Sequence, residues 1–133
     1  MCPVRMSKFE KTMRIALDYQ KAFNNQDVIG MMEFISDDCT FESANPTPDG
    51  VLYSGKEEIS GYWRDFFGKR NQLHVEIEEV FSIGERCVLR WKSSWVEAGS
   101  NKKTLRGVDI IRVGDGAIDQ IFSYIKSNSG EFD

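Results

Sequence analysis

The feature that most constrains this chain is a change of hydrophobic period at Gln72. Before it, apolar residues recur at three-and-four spacing, as on one face of a helix. After it they alternate, with Leu73, Val75 and Ile77 set against His74, Glu76 and Glu78. Helices gathered in the first half and strands in the second predict an α+β fold, with helices covering one face of a bent sheet.

The helical half has readable ends. Ser7-Lys8-Phe9-Glu10 fits a capping box, and Ile15, Ala16, Tyr19, Ala22 and Phe23 then form one buried face up to a stop at Asn24-Asn25-Gln26. Asp27 caps a short second helix, roughly Val28 to Ile35, ended by Ser36-Asp37-Asp38. A first strand is expected over Cys39 to Ser43. The loop Ala44 to Gly50 follows, with two prolines that cannot donate to a central ladder. Ser54-Gly55-Lys56-Glu57 repeats the capping-box spacing and opens a third helix through Phe67, closed by Gly68.

In the strand half, the alternation slips near Glu78-Glu79. One extra residue suggests a bulge that bends the strand, with Phe81 and Ile83 expected to continue its apolar side. The next strand sets Cys87, Leu89, Trp91, Ser93 and Trp95 inward and Val88, Arg90, Lys92 and Ser94 outward. Gly99-Ser100-Asn101 reads as a turn and Lys103 to Val113 as a strand. Gly114-Asp115-Gly116 reads as a tight turn whose glycines supply positive φ, Ala117 to Lys126 as the last strand, and the polar stretch from Ser127 as a tail.

Bulk numbers remove several classes of function. At 133 residues, 41% hydrophobic and 12% aromatic, the chain suits a single domain spanning 1–133 with a core or a core plus a hydrophobic pocket. Its 17 basic and 21 acidic residues are interspersed, which argues against a nucleic-acid partner. Cys2, Cys39 and Cys87 are odd in number and lack CxxC spacing, so reduced thiols of a cytoplasmic protein are expected, not a disulfide frame. A single histidine, His74, on the polar side of its strand gives no metal site, and no cofactor is expected. No apolar run approaches the roughly 20 residues of a membrane span.

The helix–turn–helix–strand order of Ala16 to Asp27 and Ser36 to Ser43, with the later hairpin Gly107-Val108-Asp109-Ile110-Ile111-Arg112-Val113-Gly114-Asp115-Gly116, resembles a known superfamily. It is the cone-shaped fold of nuclear transport factor 2, ketosteroid isomerase and the SnoaL-like polyketide cyclases. The resemblance implies a strongly curved, mostly antiparallel sheet packed on three N-terminal helices and enclosing a pocket. It also implies a homodimer formed through the outer sheet face, where Val88, Val96, Phe122 and Tyr124 are expected.

Carried over residue by residue, the resemblance puts Tyr19 at the position of the isomerases' oxyanion-donating tyrosine. Asp109 matches their second donor, an aspartic acid kept protonated by an apolar setting; this enzyme is itself the standard illustration of that effect. Trp63 matches a supporting tyrosine. The position of the isomerase base is held by Ser43, whose unactivated hydroxyl cannot take a proton from carbon, so steroid isomerisation by that route is not expected. The neighbouring carboxylate, Glu42, alternates to the other side of the strand unless a bulge turns it inward. A relay like that of limonene epoxide hydrolase is not supported either, since Arg106 and Arg112 alternate away from Asp109.

The expected ligand is a small apolar compound, cyclic and carrying a carbonyl, held by the catalytic pair Tyr19 and Asp109. Phe23, Phe41, Ser43, Trp63, Phe67, Trp91 and Trp95, with Ile121 and Ser123 on the last strand, are expected to line the pocket. Plainer readings stand beside these. Tyr19 also suits a core tyrosine, Asp109 a structural hydrogen bond, and the tryptophans simple volume filling. The alternative function is a noncatalytic domain of the same fold that binds a ligand or a protein.

Overall fold

The computed structural model describes residues 8–97 and 101–126. Three helices, α1 (Lys8–Asn24), α2 (Val28–Met32) and α3 (Gly55–Gly68), pack against one six-stranded sheet. The strands are β1 (Ile35–Glu42), β2 (Leu52–Ser54), β3 (Asn71–Ile83), β4 (Arg86–Glu97), β5 (Asn101–Gly114) and β6 (Ala117–Lys126), in the order β2-β1-β6-β5-β4-β3. β3 to β6 form the expected antiparallel meander, and β1 enters parallel to β6. The fold is mixed α+β, as the change of period at Gln72 requires.

Helix ends follow local chemistry with two corrections. The Asp27 carboxylate accepts from the Gly30 amide at 2.9 Å and starts α2 as expected. α2 stops at Met32, however, and Ile35 already belongs to β1, paired with Ile118 of β6. The partner that draws Ile35 into the sheet lies over 80 residues away and leaves no local mark. At α3 the Ser54 side chain makes no capping bond; Glu58, not Glu57, accepts from the Ser54 amide at 2.9 Å. The Ser7 cap, the Gly99-Ser100 part of the expected turn and the tail from Ser127 lie outside the described residues.

In the meander, Ile77 pairs with Trp91 and Glu79 with Arg90, so Glu78 is the extra residue of a bulge. A one-residue insertion must exchange the two faces of everything beyond it. Val80 therefore packs toward the core, while Phe81 and Ile83 are 45% and 74% exposed, which corrects the expectation that they continue the apolar side. At the β5–β6 turn the positive φ angles belong to Asp115 (51°) and Gly116 (81°), not to Gly114. β2, a three-residue edge strand that pairs Phe41 with Tyr53, has too short a pattern to be read from the sequence.

The inward residues of β4 are all buried as expected, from Cys87 to Trp95. One long-range clamp fixes α1 across the sheet. The Asn24 amide group accepts from the Val75 N–H and donates to the Val75 carbonyl, both at 2.8 Å, satisfying backbone of the edge strand β3. The residue expected only to stop a helix thus also sets where α1, and with it Tyr19, stands over the sheet.

Candidate functional site

Tyr19 reaches inward from α1, one turn before the Asn24 clamp, and is 4% exposed. Its hydroxyl is buried and has no hydrogen-bond partner among the described residues. Burial drives the phenol pKa far above its ordinary value, with Cys39 and Asp109 adding to the rise, so Tyr19 remains a proton donor at any accessible pH. The Trp63 indole stands near enough to offset part of that rise, but the two groups are not aligned for a hydrogen bond, and Trp63 Nε1 is also unpaired.

Asp109 comes from β5, and its placement follows from strand register. Gly107 lies opposite Trp91, and a Cβ there would overlap the indole and lie 2.5 Å from the Tyr124 carbonyl oxygen. The missing side chain lets the Trp91 ring lie across β5 and reach two residues along, where its Nε1 donates to Asp109 Oδ1 at 3.1 Å. Ser123, directly opposite Asp109 on β6, also favours the charged carboxyl. Burial outweighs both donors and pushes Asp109 up to about 6. The carboxyl lies deep in the fold, and the surface it retains faces an internal cavity.

That cavity measures about 70 Å³. Tyr19 and Phe23 line it from α1, Trp63 and Phe66 from α3, and Trp91, Trp95 and Asp109 from the sheet. Aromatic packing accounts for its small size. Trp63 sits 5.1 Å from Phe23 and 5.2 Å from Phe41, and Phe41 sits 5.1 Å from Tyr62, ring centroid to ring centroid. The volume holds a few waters or a small organic group.

Of the residues singled out from sequence, Tyr19, Asp109, Phe23, Phe41, Trp63, Trp91, Trp95, Ile121 and Ser123 all line this cavity. Phe67 and Ser43 do not. Phe67 packs one layer behind, 5.0 Å from Phe23. Ser43 is 2% exposed, and its hydroxyl donates to the Asn45 carbonyl at 2.7 Å and accepts from the Val51 amide at 3.0 Å, clasping the loop between β1 and β2. Ser43, expected from the resemblance at the position of the isomerase base, is therefore committed to loop structure. Glu42 pairs in regular register with Phe122 and also stays out of the cavity. His74 is exposed.

Sequence reasoning missed several lining groups, Asn45 and Arg70 among them. Asn45, in the clasped loop, presents a buried Oδ1 with no partner among the described residues. Arg70, just beyond α3, has no periodicity to betray it, because it follows the helix and precedes the strand. Among the described residues no three His, Cys, Asp or Glu side chains are grouped to hold a metal ion, and no helix is long and apolar enough to cross a membrane.

Three helices on one six-stranded α+β sheet are the architecture of a known family. Residues 16–121 match the SnoaL-like domain family, and the chain belongs to it. A solved nuclear transport factor 2-like protein of unknown function from Mesorhizobium loti is similar, at 27% identity over 93% of this chain and 98% of that one, with a TM-score of 0.76. A hypothetical protein with the ketosteroid isomerase-like fold from Catenulispora acidiphila, solved in complex with trimethylamine, matches at 16% identity over 86% and 87% of the two chains, TM-score 0.76. An LEH-like epoxide hydrolase of M. tuberculosis matches at 16% identity over 92% and 83%, TM-score 0.78. No curated protein matches the chain significantly.

Proposed function

We propose that this domain acts on a small apolar carbonyl compound whose oxygen is received by Tyr19, with Asp109 beside it, in an isomerase- or cyclase-like proton transfer. The observation that carries the reading is the Tyr19 hydroxyl, buried without a partner among the described residues and close enough to Asp109 for that carboxyl's charge to add to the rise of the phenol pKa. An unsatisfied buried hydroxyl costs about 1–3 kcal/mol, a cost that a ligand oxygen would remove.

Asp109 is the only acid among the described residues that line the cavity. With Ser43 clasped to its loop, a proton leaving the carbon next to the carbonyl has Asp109 as its one carboxylate acceptor. The C–H electron pair then moves into the enolate, whose oxygen Tyr19 stabilises, and Asp109 returns the proton to a different carbon or to the same one. A pKa of about 6 suits this exchange near neutral pH.

The small volume favours a second reading, in which both groups donate to a bound oxygen and no reaction follows. In that case only the protonated carboxyl binds, and affinity falls about tenfold per pH unit above the pKa of Asp109.

Deuterium exchange into cyclohexanone separates the two. Proton transfer predicts exchange faster than in buffer, with a rate that rises through about pH 6 and then levels, and a loss of about 100-fold in Tyr19→Phe. Binding without acceleration would leave the noncatalytic reading. A homodimer through the outer sheet belongs to the same proposal and rests on Tyr124, 51% exposed there. A 15.3 kDa particle in light scattering would remove it. Cytoplasmic residence is proposed from the buried, unpaired thiols of Cys39 and Cys87.

A further inference from the structure

Arg70 is the one cation among the described residues that line the cavity. Its guanidinium carbon stands 3.8 Å above the Phe66 ring and 5.4 Å from that of Trp95, and its Nη1 donates to the Phe66 carbonyl at 3.3 Å. The side chain is half-buried, so the guanidinium sits between cavity and solvent. No carboxylate among the described residues forms an ion pair with it. The two acids whose charges it feels are engaged elsewhere: Asp65 pairs with Lys69 at 3.0 Å, and Glu97 accepts from the Trp95 indole at 3.2 Å. Five N–H donors in a planar fork, one of them used on a backbone carbonyl, leave a face suited to a carboxylate.

We propose that Arg70 determines specificity by receiving a carboxylate on the ligand, so that the substrate class is a small oxo acid. This rests on the carbonyl reading above and gives the ligand a direction. Its anionic end lies at half-buried Arg70, its apolar middle lies among Phe66, Tyr62 and Trp95, and its carbonyl lies at Tyr19 and Asp109. Tyr62 links the two ends electrostatically, since Arg70 lowers its pKa while Asp109 raises it. The polarity is also selective. A ligand inserted the other way would place its carboxylate against Asp109, where two like charges in a dry cavity repel.

The competing role for Arg70 is structural, as a cation favourably placed at the C-terminal end of α3. Three probes separate the roles on the full chain, read by tryptophan fluorescence and amide NMR: levulinate, its neutral methyl ester, and valerate, which keeps the carboxylate but has no ketone. The inference expects levulinate and valerate to bind at least about tenfold tighter than the ester, and this preference to shrink as salt rises. Arg70→Gln should erase it, and Arg70→Lys should restore only part, because an ammonium lacks the fork. Equal binding of acid and ester by the wild-type protein would overturn the inference without any variant having to fold. So would an Arg70→Gln protein that loses stability but keeps the acid preference. The carbonyl reading fails separately, if levulinate binds no better than valerate or if Tyr19→Phe leaves that difference unchanged.

Discussion

Two buried hydroxyls, both expected from a family resemblance to sit at positions of catalytic machinery, have opposite fates in this fold. Ser43 gives and receives hydrogen bonds on the loop that follows it, and its own amide donates to the Val51 carbonyl at 3.0 Å. Tyr19 is as deeply placed and has no partner among the described residues. Buried polar groups are nearly always paired, so a satisfied one is explained by folding, whereas an unsatisfied one facing a cavity calls for a ligand. The difference places Ser43 among the structural groups and leaves Tyr19 as the group on which the proposed function rests, a contrast that stability measurements can read.

The largest effect should come from breaking the Ser43 side. Gly50 has φ +67°, and a Cβ there would overlap the Ser43 carbonyl oxygen. Left-handed strain of about 1–2 kcal/mol and a backbone collision of similar or larger size together predict that Gly50→Ala loses about 4 kcal/mol in chemical denaturation. A loss below about 1 kcal/mol would mean that the loop is not clasped as described.

Next comes the Tyr19 side, through its neighbour. Asp109 binds a proton more tightly in the folded protein than in the unfolded chain. Its contribution is therefore most favourable below about pH 4 and declines as pH rises to about 6, by about 3 kcal/mol in all. That is somewhat less than complete desolvation would impose, because Trp91 and Ser123 offset part of it. Subtracting the stability profile of Asp109→Asn from that of the wild type over this range should reveal the decline. A flat difference would show that the carboxyl is not held in a desolvated site.

How far this contrast could be read from sequence depends on the range of the interactions involved. Alternation along β4 placed Trp91 inward, and the helical face of α1 did the same for Tyr19, because inward direction is a local property of an element; Asp109 came only through the family resemblance. Whether a hydroxyl is satisfied is not local. The Ser43 bonds depend on the path of the following loop, and β1 extends back to Ile35 only because β6 offers Ile118 beside it. Phe81 and Ile83 show a middle case: the bulge was legible, and its consequence, an exchange of faces, followed from geometry alone. Arg70 lay beyond reach, since a residue between elements has no period to betray its direction.

Ser43→Ala should cost less than the Gly50 change, since it leaves the backbone path open and removes only the clasp. Loss of two short, part-buried hydrogen bonds predicts about 2 kcal/mol by denaturation. Levulinate binding should remain within about twofold of wild type, because the side chain does not face the cavity. A tenfold loss of binding without a matching loss of stability would put Ser43 back among the ligand contacts.

The smallest expected change is also the most pointed, because its sign is opposite. Tyr19→Phe keeps the ring among Phe23 and Trp63 and deletes only an oxygen that has no partner in the empty cavity. Removing an unsatisfied buried hydroxyl relieves its desolvation cost, so the variant should be as stable as the wild type or more stable by about 1 kcal/mol. With levulinate bound the order should reverse, since the wild-type hydroxyl then donates to the ketone and the variant leaves that oxygen bare. Thermal denaturation with and without the ligand measures both signs in one experiment. A variant less stable than wild type in the empty state would mean that the hydroxyl already has a partner there, and Tyr19 would then belong with Ser43 among the structural groups.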